Sequence, residues 1–229
     1  MIKFTSRPDE ALKLPGIRAV IFDLDGTLID SLDDITDALN RGLHQVGSLR
    51  VDRESVREWI GDGLAHLCRR SLRNVDVQRH EALIHRVRSA YLQHCTDKTA
   101  PYPNILKTLE LLNRRGIPAC VLSNKPHELT IEIVARLGMN RWFRQVRGCI
   151  DENLRKPSPV AAIELAAMME WPPSQTLMIG DGSTDILCAH NAGMQSAAVT
   201  WGFRDRPELA KTGPDFFLDH PREILDLIG

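Results

Sequence analysis

Nowhere in the 229 residues is there an apolar run approaching the ~20 that a membrane helix needs, and the start, MIKFTSRPDEALKLPG, has no apolar stretch of the kind a secretory signal carries. The chain is expected to be soluble, unexported and cytoplasmic, with no membrane partner. An excess of one charge is missing too: 29 Lys and Arg stand against 30 Asp and Glu, so no polycation is offered to nucleic acid. The five cysteines are odd in number, at least 25 residues apart and form no C-x-x-C. They read as buried apolar thiols, not as a disulfide framework or a zinc site. No histidine pair has metal-ligand spacing, so His66, His127 and His190 read as surface or satisfied side chains. Internal repeats and low-complexity tracts are also absent. What is present is an ordinary globular composition, 43% hydrophobic and 26% charged, in a chain long enough for one full domain and a smaller inserted one.

From about residue 17 onward, short apolar or β-branched runs alternate with amphipathic stretches, the pattern of βαβ units around a parallel sheet. Six runs read as strands: 18–23, 118–123, 145–150, 176–180, 195–200 and 215–218. They are continuous, as strands buried on both faces should be. Between them Ile105, Leu109 and Leu112 recur at helical spacing before Gly116, and Ile131, Val134 and Leu137 before Gly138, each glycine a C-terminal stop. From Asp30 to Thr99 the rhythm breaks, with helical periodicity and no strand. Leu32, Ile35, Leu39, Leu43 and Val46 trace one apolar face behind a cap at Ser31 or Asp30, and residues 82–94 form another helix with Leu83, Val87 and Leu92 inward. The expected fold is therefore α/β: a parallel-sheet core of residues 1–29 and 99–229, with a small all-helical domain of residues 30–98 inserted. The insert is rich in arginine (Arg41, Arg50, Arg53, Arg57, Arg69, Arg70, Arg73, Arg79, Arg86, Arg88), read mainly as solvated helix faces. Residues 1–15 read as a short polar extension.

The chemistry gathers at the strand ends. Asp23-Leu24-Asp25-Gly26-Thr27 stands at the carboxyl end of the first, where ligands bind in open parallel α/β sheets. Two carboxylates two residues apart repel each other unless a cation, a shared proton or a division of catalytic labour compensates them. Three later strand ends carry matching polar groups: Ser123-Asn124-Lys125, then Lys156-Pro157, then Gly180-Asp181-Gly182-Ser183-Thr184-Asp185. A phosphoryl group needs hydrogen-bond donors and a fixed cation around its oxygens, and Mg²⁺ needs carboxylate and carbonyl oxygens; this set offers both.

The order DxDGT, S-N, K-P and GDxxxD resembles the haloacid dehalogenase superfamily of aspartyl-phosphate hydrolases. Within it, DLDGTLIDS followed by a helical insert, Gly61-Asp62-Gly63 and SNKP is similar to the phosphoglycolate phosphatase group. The resemblance spans nearly the whole chain. It implies a Rossmann-like core under a mobile cap, Mg²⁺ as cofactor and a small phosphorylated metabolite as partner, 2-phosphoglycolate among the candidates, in a monomer or small homo-oligomer. Asp23 would be the nucleophile and Asp25 the acid/base. Asp23, Asp181 and the Asp25 backbone carbonyl would hold the metal, with Asp185 orienting these ligands or Lys156, or else capping a helix. Lys156, the Ser123 hydroxyl and the Asn124 backbone amide would hold the phosphoryl oxygens, and Gly61-Asp62-Gly63 would reach the leaving group. Thr27 would donate to the Asp23 carboxylate or satisfy the turn. Pro157 reads as the start of the helix containing residues 160–168, and Lys125 as a solvated loop charge. Gly182 stands where many relatives carry Ser, which removes one hydroxyl from beside the metal. Alternatives on the same scaffold are a phosphatase for nucleotides, sugar phosphates or pyrophosphate, and a phosphomutase. A non-enzymatic alternative is a phospho-aspartate switch, which has no need of Asp25 or of a seventy-residue insert.

Overall fold

A computed structural model describes residues 16–72 and 77–228. The polar extension of residues 1–15 and Arg73 lie outside the described residues. The chain runs through β1 (Ala19–Phe22), β2 (Ile29–Asp30), α1 (Leu32–Gln45), α2 (Arg53–Trp59), α3 (Leu64–Ser71), α4 (Val77–His94), β3 (Ala100–Pro101) and α5 (Ile105–Arg114). It continues through β4 (Ala119–Pro126), α6 (His127–Arg136), β5 (Gln145–Cys149), α7 (Val160–Met168), β6 (Thr176–Gly180), α8 (Ser183–Ala192), β7 (Gln195–Val199), α9 (Arg206–Ala210), β8 (Phe216–Leu218) and α10 (Ile224–Leu227). All six strands read from the sequence are present. They form one parallel sheet in the order β5-β4-β1-β6-β7-β8. The expected α/β architecture with a helical insertion is the one observed. No helix of the described residues is long and apolar enough to cross a membrane.

The strand composition explains the layering. Successive side chains of β1 point to opposite faces. Val20 and Phe22 join a core with Leu109, Leu112 and Ile133, while Ala19 and Ile21 join another with Ala162, Leu165, Ala166 and Ala189. Helices therefore cover both faces, which is why β1 carries an unbroken apolar run. β5 departs from that expectation: as an edge strand it is only partly buried. From β1 the chain builds outward on one side through β4 and β5 and on the other through β6, β7 and β8. The strand order thus reverses at β1, where a crevice opens above the carboxyl ends.

Among the described residues, four helices, α1 to α4, lie between Ser31 and Thr99, and they leave the core through a two-stranded ribbon in which Ile29 of β2 lies opposite Pro101 of β3. Buried Asp34 binds the two connections together, accepting from the Lys98 and Thr99 backbone N–H groups and the Thr99 hydroxyl at 2.7–3.1 Å. Leu32, Ile35, Leu39 and Leu43 are buried as expected, against Leu83 and Val87 of α4, with Val46 partly buried at the edge. Leu92 is not inward. The buried stripe of α4 runs Leu83, Val87, Tyr91 in steps of four, which turns Leu92 outward. In α6 the inward residues are Leu129, Ile133 and Val134, so Ile131 faces solvent. At the start of α1, Asp30 Oδ1 accepts from the Leu32 N–H at 3.3 Å, while the Ser31 hydroxyl goes elsewhere.

Candidate active site

The carboxyl ends of β1, β4 and β6 and the loop after β5 converge over the sheet. Asp23, the first residue beyond β1, is fixed by Lys156, whose Nζ donates to Asp23 Oδ1 at 2.6 Å and to the Leu122 carbonyl at 2.7 Å and pairs with Asp185 Oδ1 at 2.7 Å. Lys156 is positioned by Asn124, whose side-chain Oδ1 accepts from the Lys156 N–H at 2.8 Å and whose Nδ2 donates to the Lys156 carbonyl at 3.0 Å. Pro157 does not start the next helix. α7 begins at Val160 after Pro159, so it is Asn124, and not a helix amino end, that sets Lys156 in place. Asp185 does both things considered for it: it pairs with Lys156 and caps α8 by accepting from the Gly182 N–H at 3.0 Å.

Asp23, Asp181 and Asp185 are buried, and each offers a ligand oxygen within 4.8 Å of the others. Burial pushes the Asp23 carboxyl well above its usual range, Lys156 pulls it back, and Asp185 and Asp181 push it further up. Asp181 is pushed up to about 7 by burial and by Asp185, although the Phe203 N–H donates to its Oδ2 at 2.7 Å. Lys156 is raised: burial disfavours its charge, but Asp185 and Asp23 outweigh that. Three carboxylates against one ammonium leave an excess of negative charge in a dry place. Hard oxygen donors in that state fit Mg²⁺. The cluster needs glycine around it. At Gly26, with φ of 79°, an added Cβ would lie 2.1 Å from Asp181 Oδ2, and at Gly202 it would lie 2.4 Å from both Asp181 Cβ and the Gly26 carbonyl oxygen.

Asp25 lines the same cleft but is not part of this cluster. Its Oδ1 accepts from the Ser31 hydroxyl at 2.5 Å and from Lys125 Nζ at 2.6 Å. Lys125 is therefore not a solvated loop charge: β4 continues through Ser-Asn-Lys to Pro126, which carries Lys125 into the interior, 7% exposed. Lys125 Nζ also donates to the Tyr91 hydroxyl oxygen at 2.6 Å. Thr27 makes neither contact expected of its side chain. Its hydroxyl is buried without a partner among the described residues, while its carbonyl accepts from Trp201 Nε1 at 3.0 Å. Ser123 Oγ accepts from the Lys125 N–H at 3.2 Å and borders the cleft.

This cleft, of about 260 Å³, lies between the strand ends and the helical cap and brings together Asp23, Asp25, Ser123, Asn124, Lys156, Asp181 and Gly61-Asp62-Gly63. The core grips the cap through side chains that bind main-chain oxygens. Arg204 donates to the carbonyls of Arg57 and Ile60 at 2.7 and 2.6 Å, capping the end of α2. Arg155 donates to the Asp62 carbonyl at 2.7 Å, and Asn124 Nδ2 to the Gly61 carbonyl at 2.9 Å. In return Arg57 Nε donates to the Phe203 carbonyl at 2.8 Å. Of the other cap arginines, Arg70 borders the cleft and pairs with Asp62 at 2.9 Å, while Arg41, Arg50, Arg53, Arg69, Arg86 and Arg88 are exposed, as expected.

Sequence reasoning missed Tyr91, Gly202, Phe203, Arg204 and Arg155. The signal for Gly202 to Arg204 was available, since Trp-Gly-Phe-Arg follows the carboxyl end of a fifth strand. Nothing local marks Tyr91, which arrives from the cap. The cysteines are all free, four of them buried. His127 Nδ1 accepts from the Gly148 N–H at 3.1 Å, His190 Nε2 meets Ser196 Oγ at 3.2 Å and His66 Nε2 meets Arg155 Nη2 at 2.8 Å; all three are satisfied.

A sequence profile described as haloacid dehalogenase-like hydrolase matches residues 20–199. The chain is 33% identical over 227 residues to phosphoglycolate phosphatase 1 of Pseudomonas aeruginosa, covering 96% of this chain and 82% of that protein. It is 32% identical over 212 residues to the phosphoglycolate phosphatase of Aquifex aeolicus, covering 93% and 97%. A crystal structure of a predicted phosphoglycolate phosphatase from Haemophilus somnus superposes with a TM-score of 0.85 at 27% identity, covering 93% of this chain and 98% of that one.

Proposed function

The chain belongs to the haloacid dehalogenase-like hydrolase family, and from that premise we propose that it is a Mg²⁺-dependent phosphatase of small organic phosphate monoesters, working through an aspartyl-phosphate on Asp23. The observation that carries this reading is a buried carboxylate at a strand end, held by a lysine at 2.6 Å and flanked by two further carboxylates, at the floor of a covered cleft. Asp23 attacks phosphorus as the bond to the ester oxygen breaks, and Asp25 gives that oxygen its proton, so the alcohol leaves neutral. Asp25 then takes a proton from the water that attacks the same phosphorus, which frees Asp23 and releases inorganic phosphate. Lys156 faces the charge on the transferring group, and the Ser123 hydroxyl and the Asn124 backbone N–H donate to its oxygens. Asp23, Asp181 and the Asp25 carbonyl, supported by Asp185, would hold Mg²⁺, which when bound draws charge off the phosphoryl oxygens.

Identity of 32–33% to phosphoglycolate phosphatases along nearly the whole chain supports 2-phosphoglycolate as the substrate. The Gly61 to Gly63 turn on the cap side would meet the leaving group. A panel of phosphate esters at fixed Mg²⁺ tests the substrate: 2-phosphoglycolate is expected to give the highest kcat/KM, and a nucleotide or sugar phosphate exceeding it would redirect the reading. Asp23→Asn tests the mechanism, with turnover expected to vanish while the fold persists.

A further inference from the structure

We propose that Lys125 and the cap residue Tyr91 are positioning residues for Asp25, acting on the departure of the leaving group and not on phosphoryl binding; this rests on the phosphatase reading above. Three elements meet here. Lys125 is the penultimate residue of β4, Asp25 follows β1, and Tyr91 comes from α4 in the cap. Lys125 Nζ lies 2.6 Å from Asp25 Oδ1, 2.6 Å from the Tyr91 hydroxyl oxygen and 4.6 Å from the centre of the Tyr91 ring. Both side chains of the ion pair are nearly dry, 6% and 10% exposed. A buried lysine is costly to desolvate and is kept only where its donors are well used.

The geometry divides the two oxygens of Asp25. Oδ1 already accepts from Lys125 and from Ser31, and no hydrogen bond from the described residues reaches Oδ2. A proton on Asp25 therefore belongs on Oδ2, the oxygen left for the ester. As that proton passes to the bridging oxygen and the P–O bond breaks, negative charge develops on Asp25 directly against the Lys125 ammonium. Stabilisation that grows along the step accelerates it, whereas a uniform contact would not. Tyr91, accepting from Lys125, fixes the ammonium's direction from the cap side. Neither residue gains or loses a proton.

If the pair acts through proton delivery, its importance scales with how badly the leaving oxygen needs the proton. Lys125→Met and Tyr91→Phe are to be compared with wild type at saturating Mg²⁺ on 2-phosphoglycolate, whose alkyl oxygen needs the proton to leave as an alcohol, and on p-nitrophenyl phosphate, whose leaving group departs as a stable phenolate without one. kcat/KM is the quantity to read, because it ends at phosphoryl transfer to Asp23 and excludes the later hydrolysis. In Lys125→Met the loss on the alkyl ester should exceed the loss on the aryl ester by about tenfold, and in Tyr91→Phe by roughly threefold. Equal losses on the two esters, in a wild type active on both, would mean a merely structural or phosphate-binding role and would overturn this assignment alone. Wild-type protein inert on both esters would overturn the phosphatase reading and this assignment with it. Tyr91→Phe keeps the ring and the ion pair, so it decides the matter if Lys125→Met does not fold.

Discussion

The strand-end cluster and the cap above it are held by different means. Asp23, Asp181, Asp185 and Lys156 are at most 8% exposed, and each is tied to the sheet or its loops by contacts of 2.6 to 3.0 Å. Around the cleft rim, the cap is held by Arg155 and Arg204, whose side chains keep 23% and 17% of their exposure and bind carbonyl oxygens. Reacting groups on rigid, dry elements keep their geometry through each turnover. Lifting the cap would break these guanidinium-to-carbonyl bonds together with those from Asn124 to Gly61 and from Lys125 to Tyr91, and at the exposed rim water can replace what is lost. The two regions should therefore respond very differently to substitution.

Asp23→Asn should have the largest effect, a loss of roughly 10⁴-fold or more in kcat with an unchanged circular dichroism spectrum. Next is Gly202→Ala, whose new methyl would press on Asp181; Mg²⁺ affinity and kcat/KM should each fall by about a hundredfold, the scale on which disturbing a metal ligand's support is felt. Titration calorimetry against steady-state kinetics separates the two effects.

The raised Asp181 carboxyl makes a third prediction. Asp181 must lose its proton to hold a cation, so apparent Mg²⁺ affinity should fall by up to about tenfold for each pH unit below about 7. The sign for the metal-free protein is opposite. Between about pH 4 and about 7 the folded chain keeps a proton that the unfolded chain has released, so this contribution to stability is lost as pH rises through that window. Thermal melts with and without Mg²⁺ across pH 4.5 to about 7.5 should therefore diverge as pH increases.

On the cap side, Arg204→Ala should cost a few-fold in kcat/KM, with faster amide exchange at residues 57–61 and a nearly unchanged core. An effect as large as that of Gly202→Ala would erase the contrast between the two regions.

The core was legible because its signals are local. Each strand is a short apolar run, and the four motifs fall where parallel strands end, so Asp23, Lys156, Asp181 and Asp185 were readable together. The cap was legible only as helices. Tyr91 belongs to the site because a step of four residues on α4 turns it inward in place of Leu92, and helical periodicity in 82–94 did not choose between neighbours. Lys125 was misread because the strand was taken to stop at its first polar residue, Ser123, whereas β4 runs on through Asn124 and Lys125, and the partners of Lys125 lie far away in sequence, on Asp25 and Tyr91. Arg155 and Arg204 grip carbonyl oxygens about ninety and a hundred and forty-four or more residues away in sequence, contacts that leave no trace in local composition.

The central claim is that Asp23 carries the phosphoryl group, and the direct test is acid quench of the enzyme during turnover of ³²P-labelled substrate, followed by peptide mapping. The account predicts hydroxylamine-labile label on the peptide containing Asp23, absent in Asp23→Asn. Turnover that proceeds with no label on that peptide, under conditions where hydrolysis of the intermediate is slowed by Asp25→Asn, would contradict it.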